Sequence, residues 1–356
     1  MYSGVYFPPG LPAIVLDYLD GDVLSYDEKP IPAKSRQDLM LFGRKYHELI
    51  STDASIVAEL ILKGEENDVE EALKLVRQNP SLLHRQAKAK DPLGRWIQGT
   101  LLQIAAMAGD VDLKAGIIEE KEHGLVERLK LAGKLSAEEV AEQLKVITSD
   151  EAKQANEKRN QRVLDVIKKF GEGIIKKAEE FKSDRSFKEF QIQCQSIIDQ
   201  LESDLTAGMK EVIISGYIFD PSILQKAAEW FNDNQHRFSS FWSNRGDVFW
   251  INGFGKLQSK LSSRDAQIIL KGAGNFIDDG EMPNRTLNNA DGTSDFFNLT
   301  SRLGVDFYLR GCGLRAVGDT IWCGGFPSLQ NLCQAKTRAL QNVCNTQTIG
   351  LHRAHA

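Results

Sequence analysis

The sequence predicts a mainly α-helical protein, and three observations carry that expectation. Apolar residues recur at steps of three and four over long stretches, the spacing that puts them on one helix face. No proline falls between Pro92 and Pro221, so nothing breaks the long helical middle. Ser/Thr…Glu/Gln pairs with capping-box spacing, which mark helix starts, recur at Thr100…Gln103, Ser136…Glu139, Thr148…Glu151 and Ser186…Glu189. The expected architecture is helix pairs, then a long antiparallel helical hairpin, then a C-terminal domain that is α-rich or α+β. The expected boundaries are 1–66 for an N-terminal arm and two helices, 67–123 for a helix-pair module, and 124–208 for the hairpin. An aromatic- and glycine-rich domain over 209–344 and a disordered tail over 345–356 complete the chain.

In chain order, residues 1–34 are rich in turn formers, with Pro8, Pro9, Pro12, Pro30, Pro32 and Asp20-Gly21. Helices are expected at 36–50 and 53–63, the second burying Ile56, Leu60 and Ile61 and stopping at Gly64. Asn67, with Glu70 three positions on, reads as the cap of the next helix. Val69, Ala72, Leu73 and Val76 form its apolar stripe, and Asn79-Pro80 ends it. Asp91-Pro92-Leu93-Gly94 is a turn. A short helix over Leu101 to Met107 starts at Thr100 and closes at Gly109. Asp110 is then placed to cap a further helix bearing Leu113 and Ile117.

The hairpin is expected from Val163, Ile167, Phe170, Ile174, Ala178 and Phe181 on one helix. The facing stripe is Phe187, Phe190, Cys194, Ile197, Leu201 and Leu205. Gly171 and Gly173 are candidate bend points. Beyond Gly208 the character changes. Lys210 to Phe219 is β-branched and short, and ten of the 29 aromatic residues fall between Tyr217 and Phe254, enough for a dense local core. DVFWINGFG reads as a strand and turn, 259–271 as a helix, 272–294 as a loop, 296–310 as a helix and 328–343 as the last helix.

The run GTLLQIAAMAGDVDL resembles the ankyrin-repeat pattern G-x-T-P-L-H-x-A-A-x-x-G. Gly99-Thr100 stand before the helix, and Ala105, Ala106 and Gly109 follow. Leu101 replaces the family's proline and Gln103 its histidine. The preceding DVEEALKLVRQNPSLL is similar to the outer helix of a divergent repeat. Degenerate repeats of this kind resemble those of bacterial, type IV secreted effectors delivered into host cells. The likeness covers about 67–120. It implies a protein partner, and it places Arg95-Trp96 where ankyrin proteins present recognition loops. An isolated unit of this kind cannot bury its own core, so flanking helices must complete it.

Composition narrows the function classes. The net charge is −5 with both signs interspersed, which disfavours nucleic acid as a partner. Lys168, Lys169, Lys176 and Lys177 lie among Glu172, Glu179 and Glu180, the pattern of a solvated helix face. No apolar run reaches the length of a transmembrane helix, and the first sixteen residues lack the basic segment of a secretory signal. Five cysteines without a CxxC pair point to a reducing intracellular compartment and away from zinc. No cofactor is expected. Gly311-Cys312-Gly313 opens a glycine run whose third glycine comes two positions late for a dinucleotide loop. GFGKLQSK likewise misses the Walker pattern. The acidic loop at 278–292 puts Leu287 where a calcium ligand belongs.

Two function classes remain. One is a protein-binding protein, with Arg95 and Trp96 as binding residues of the types favoured at interface hot spots. The other is a thiol hydrolase or transferase with Cys312 as nucleophile, His236 as base, and Asp295 or Asp306 orienting it. Cysteines serve more often as small buried apolar groups than as nucleophiles, so the binding reading is preferred.

Overall fold

The computed structural model describes residues 54–112, 123–180, 187–208, 211–238, 244–271, 285 and 325–345. The arm, the helices expected at 36–50, 113–120 and 296–310, the Ser186 cap and the tail lie outside these residues. So do the glycine run at 311–318 and, apart from Arg285, the loop at 272–294. Of the described residues 76% are helical, with one two-stranded sheet, so the protein is mainly α.

Helix α1 spans 54–63. Its buried face is Ala54, Val57, Ala58, Ile61 and Leu62, whereas Ile56 is 48% exposed. The sequence reading thus misjudged one member of the face, because small Ala54 and Ala58 fill positions that a search for large side chains passes over. Gly64, at φ +71°, ends the helix as expected.

Helix α2, Glu66–Gln78, buries Val69, Ala72, Leu73 and Val76, the predicted stripe. It starts before Asn67, with Glu65 in the cap position and no side-chain cap. The Glu66 N–H instead donates to the Arg285 carbonyl at 3.2 Å, so a distant backbone group does the work expected of Asn67. A short 3₁₀ turn, Pro80–His84, follows and buries Leu82 and Leu83.

Strands β1, Ala87–Lys90, and β2, Trp96–Gly99, then pair antiparallel across the predicted Asp91–Gly94 turn. Helix α3, Leu101–Met107, carries the full Thr100–Gln103 capping box. Gly109 follows at φ +73°.

Helices α4, Leu125–Gly133, and α5, Ala137–Thr148, complete the first core, α5 behind the predicted Ser136–Glu139 box. That core also takes Ile213 and Ile218 from the later chain and Ala339 and Leu340 from the last helix.

The long helix α6, Asp150–Glu180, starts one residue later than Thr148 implied. The Ser149 hydroxyl accepts the Ala152 N–H at 3.2 Å, while Thr148 donates to the Leu144 carbonyl at 3.2 Å. Two adjacent hydroxyl residues offered two registers, and the end of α5 claimed the first.

Helices α7, Phe187–Gln193, and α8, Gln195–Gly208, return along α6. Lys169 meets Asp204 at 3.0 Å, and Gly173 faces Ile197. Positions that rise along α6 thus meet positions that fall along α8, and the pair is antiparallel as expected. The glycines do not bend α6, which stays helical through both. They are close-approach points instead, with Gly171 lying under the Trp230 ring.

Helix α9, Ser222–Asp233, and a 3₁₀ turn, Gln235–Phe238, bring in the aromatic core. The expected strand at DVFWINGFG is helical. It runs through α10, Asn244–Val248, a π-helical turn, Phe249–Phe254, and α11, Gly255–Gln258. Val248, Phe249, Trp250, Phe254 and Leu257 are all buried, a consecutive run rather than the alternation a half-buried strand needs. Phe231 explains this, stacking on Phe249 at 5.0 Å and meeting Trp250 edge-on at 5.0 Å. Both neighbours must therefore face inward, and the wider π turn swings them to one side.

Helix α12, Ser263–Lys271, and helix α13, Gly325–Asn345, tie the halves together. Leu332 of α13 joins the second core while Ala339 and Leu340 join the first. At the junction the Ser263 hydroxyl donates to the Leu62 carbonyl at 3.0 Å, and Ser262 donates to the Ala108 carbonyl at 2.7 Å. Lys336 of α13 contacts Asp265 there, both fully buried.

Candidate binding surface

The hairpin is held from below. Asp91 accepts the Leu93 N–H at 3.0 Å and the Arg95 N–H at 2.8 Å, which closes the turn with a side chain. The same carboxylate takes the Arg95 guanidinium at 2.6 Å, and Arg95 Nη1 reaches the Lys260 carbonyl at 2.6 Å. Burial pulls the Arg95 guanidinium below its ordinary value, and Asp91 opposes this. Of the two residues singled out in the sequence, Arg95 is therefore 97% buried, with 3% exposure, and pins the hairpin to the end of α11. Trp96 points the other way, at 38% exposure.

The strand register decides what surrounds Trp96. Lys90 pairs with Trp96, and Lys88 with Gln98, so all four side chains share the outer face. The Lys90 and Lys88 ammonium groups sit 4.7 and 5.1 Å from the Trp96 ring centroid, a cation–π arrangement supplied by the paired strand. The inner face carries Ala87, Ala89 and Ile97, all buried in the first core.

A third segment extends this face. Ile213 bridges Ile97 in parallel, its N–H donating to the Trp96 carbonyl at 2.8 Å. Its carbonyl accepts the Gln98 N–H at 2.9 Å. Because Ile213 turns inward beside Ile97, Val212 and Ile214 turn outward beside Trp96 and Gln98. They are 37% and 58% exposed. The result is one continuous face with Trp96, Val212 and Ile214 as apolar members and Lys88 and Lys90 as its charged border. Glu211, which precedes Val212, is held by Arg162 at 2.9 Å, and Asp91, which follows Lys90, is held by Arg95 at 2.6 Å. Sequence reasoning identified Trp96 but missed Val212 and Ile214. Their signal was the β-branched run at 210–219, which shows strand character without showing which alternate residues face out.

The thiol candidates are not brought together among the described residues. His236 lies exposed on the 3₁₀ turn after α9, between Gln235 and Arg237. Cys312, Asp295 and Asp306 lie outside the described residues. Cys194 and Cys333 are poor nucleophiles, since burial pushes Cys194 up to about 11 and Cys333 up to about 12. Among the described residues no group of His, Cys, Asp and Glu could hold a metal ion, and no helix is long and apolar enough to cross a membrane. No known family's sequence profile, no curated protein and no solved structure matches this chain.

Proposed function

We propose that the protein binds another protein through the outer face of the hairpin. The observation that carries this reading is the exposed Trp96–Val212–Ile214 face bordered by Lys88 and Lys90. An exposed tryptophan beside two lysines is suited to a partner surface. The favoured partner presents apolar side chains flanked by Asp or Glu, so that the apolar centre excludes water while the acids meet the lysines. The likeness of 67–120 to divergent ankyrin repeats supports the same class of function. It also supports the narrower reading of a bacterial effector that engages a host protein.

The test uses the full chain, because Ile213, Ala339 and Leu340 complete the core beneath the hairpin. A photo-crosslinking residue at Gln98 should trap a partner that the same group at Glu142, exposed on α5, does not. With that partner purified, Trp96→Ala should weaken binding about 30-fold or more, the loss of a hot spot of roughly 2 kcal/mol. Unchanged affinity in Trp96→Ala and in the Lys88→Glu/Lys90→Glu double variant would sink the proposal.

A further inference from the structure

A second surface lies on the other side of the Ile213 segment, where α6 faces residues 211–223. It is a cleft of about 70 Å³, room for roughly five to seven non-hydrogen atoms at the ~10–15 Å³ a water-sized occupant needs. Its floor is apolar: Val163 and Val166 of α6, Leu205 of α8, and Ile213, Phe219 and Ile223. The exposed Arg162–Glu211 pair stands at its rim.

The polar groups of the lining are matched with one exception. Glu211 is held by Arg162 at 2.9 and 3.1 Å, and Asp204 by Lys169 at 3.0 Å and Gln200 at 2.6 Å. Asp220 accepts from Asn156 at 2.8 Å, from Asn160 at 2.7 Å and from the Ser222 N–H at 2.9 Å. Arg95 is committed to Asp91.

Arg159 is the exception. Among the described residues it has no carboxylate at ion-pair distance. Its hydrogen bonds all leave from Nη2, to the Ser215 carbonyl at 2.6 Å and more distantly to Tyr217 and Asn156 at 3.5 Å. Nε and Nη1 have no protein acceptor among those residues, in a side chain that carries five donors. The position is also built. Gly216, at φ +70°, passes so close that a Cβ there would meet Arg159 Nη2 at 2.8 Å and Asn156 Cβ at 3.0 Å. Any other residue at 216 would push the guanidinium out of place.

We propose that this cleft binds a short, branched, free monocarboxylate, with the apolar branch on Val163, Val166 and Leu205 and the carboxylate on Arg159. The ligand class follows from the lining. The carboxylates nearest Arg159, Glu211 and Asp220, favour its charge from beyond ion-pair distance and are bonded to other donors, so the guanidinium has donors left for an anionic acceptor. The small apolar floor calls for a compact hydrocarbon rather than a long chain. The acids nearby are already hydrogen-bonded, so they do not call for a cation. The cleft shares the Ile213 segment and Arg95 with the hairpin but not the Trp96 side chain, so Trp96→Ala should leave it intact.

The experiment titrates 3-methylbutanoate into the full-length protein and follows saturation-transfer NMR and calorimetry. 3-Methylbutanamide serves as the neutral isostere. A Kd on the order of 1 mM or tighter is expected, within what a ligand of about seven heavy atoms can reach. The amide should bind at least about tenfold more weakly, because it leaves Arg159 without its anionic partner. Arg159→Met should abolish the preference for the acid, and Arg159→Lys should keep part of it, with circular dichroism reporting that both variants fold. The acid–amide comparison needs no variant, so it stands even if Arg159→Met does not fold. Equal binding of acid and amide, or no saturable binding of the acid up to about 10 mM, overturns the proposal. So does a preference for the acid that survives in Arg159→Met.

Discussion

Replacing Asp110 by asparagine tests the buried charge network that joins segments far apart in the chain. Asp110 is 2% exposed. Its carboxylate takes Arg285 Nη1 at 2.5 Å, Arg285 Nη2 at 2.9 Å and the Leu125 N–H at 2.9 Å. Arg264 Nε stands 3.8 Å away. Burial alone would raise the carboxyl, but Arg285, Arg264 and the Leu125 N–H outweigh it and hold Asp110 at about 2, against an ordinary 3.8. At about 1.4 kcal/mol per pH unit, that depression contributes roughly 2 kcal/mol of stability. The folded-state value is the lower one, so this stability is present above pH ~4 and is lost as the pH falls toward ~2. Asparagine keeps an acceptor for Leu125 but turns an amide toward the Arg285 donors and leaves the buried guanidinium only its longer pair with half-exposed Glu66, at 3.7 Å. Asp110→Asn should therefore cost about 3–5 kcal/mol, and adding Arg285→Met should recover at least about 1 kcal/mol. Urea titrations followed by circular dichroism at pH 6 and pH 3 measure both, and the single variant should also lose this group's share of the acid sensitivity. A change below about 0.5 kcal/mol, or an acid limb identical to wild type, would refute the assignment of the network as a structural tie.

The remaining outcomes follow from packing and burial. Gly171→Ala puts a methyl into the Trp230 ring and within 3.3 Å of Phe249, so overpacking should outweigh the helix-propensity gain and cost about 1–2 kcal/mol. Gly173→Ala meets only the Ile197 side chain, at 3.1 Å, and should be neutral to stabilising by up to about 1 kcal/mol. Thermal melts that rank the two the other way would contradict the packing. Cys194 and Cys333, raised to about 11 and 12, should alkylate at pH 8 at least about 100-fold more slowly than a free thiol. Peptide mapping by mass spectrometry checks this, and labelling of either at the rate of glutathione would count against their burial.

The helical frame was legible because its signals are local. The stripe Val69, Ala72, Leu73, Val76 and the Thr100 and Ser136 capping boxes each lie within a few residues, and the fold keeps them. The misses occur where a distant group decides. Asn67 lost its capping role to the carbonyl of Arg285, and DVFWINGFG became helical because Phe231 and Phe238 draw Phe249 and Trp250 to one side. Hairpin strands of four residues each, AKAK and WIQG, are too short for periodicity to distinguish.

The same division explains what was legible at the sites. Residue type made Trp96 a binding candidate, and the fold leaves it 38% exposed. The identical reasoning for Arg95 failed to anticipate burial, because Asp91 four residues back and the Lys260 carbonyl claim its guanidinium. Val212 and Ile214 face solvent only because Ile213 adds to β2 from more than a hundred residues away, turning alternate side chains outward. Arg159 was the least legible of all. In NEKRNQR it reads as one more charge on a solvated helix. What distinguishes it is a missing partner, together with the close passage of Gly216, and both arise only when 211–223 closes over α6. Residue type and local spacing can therefore nominate a side chain for binding. Whether it is free to bind depends on which distant backbone and carboxylate groups have already taken its donors.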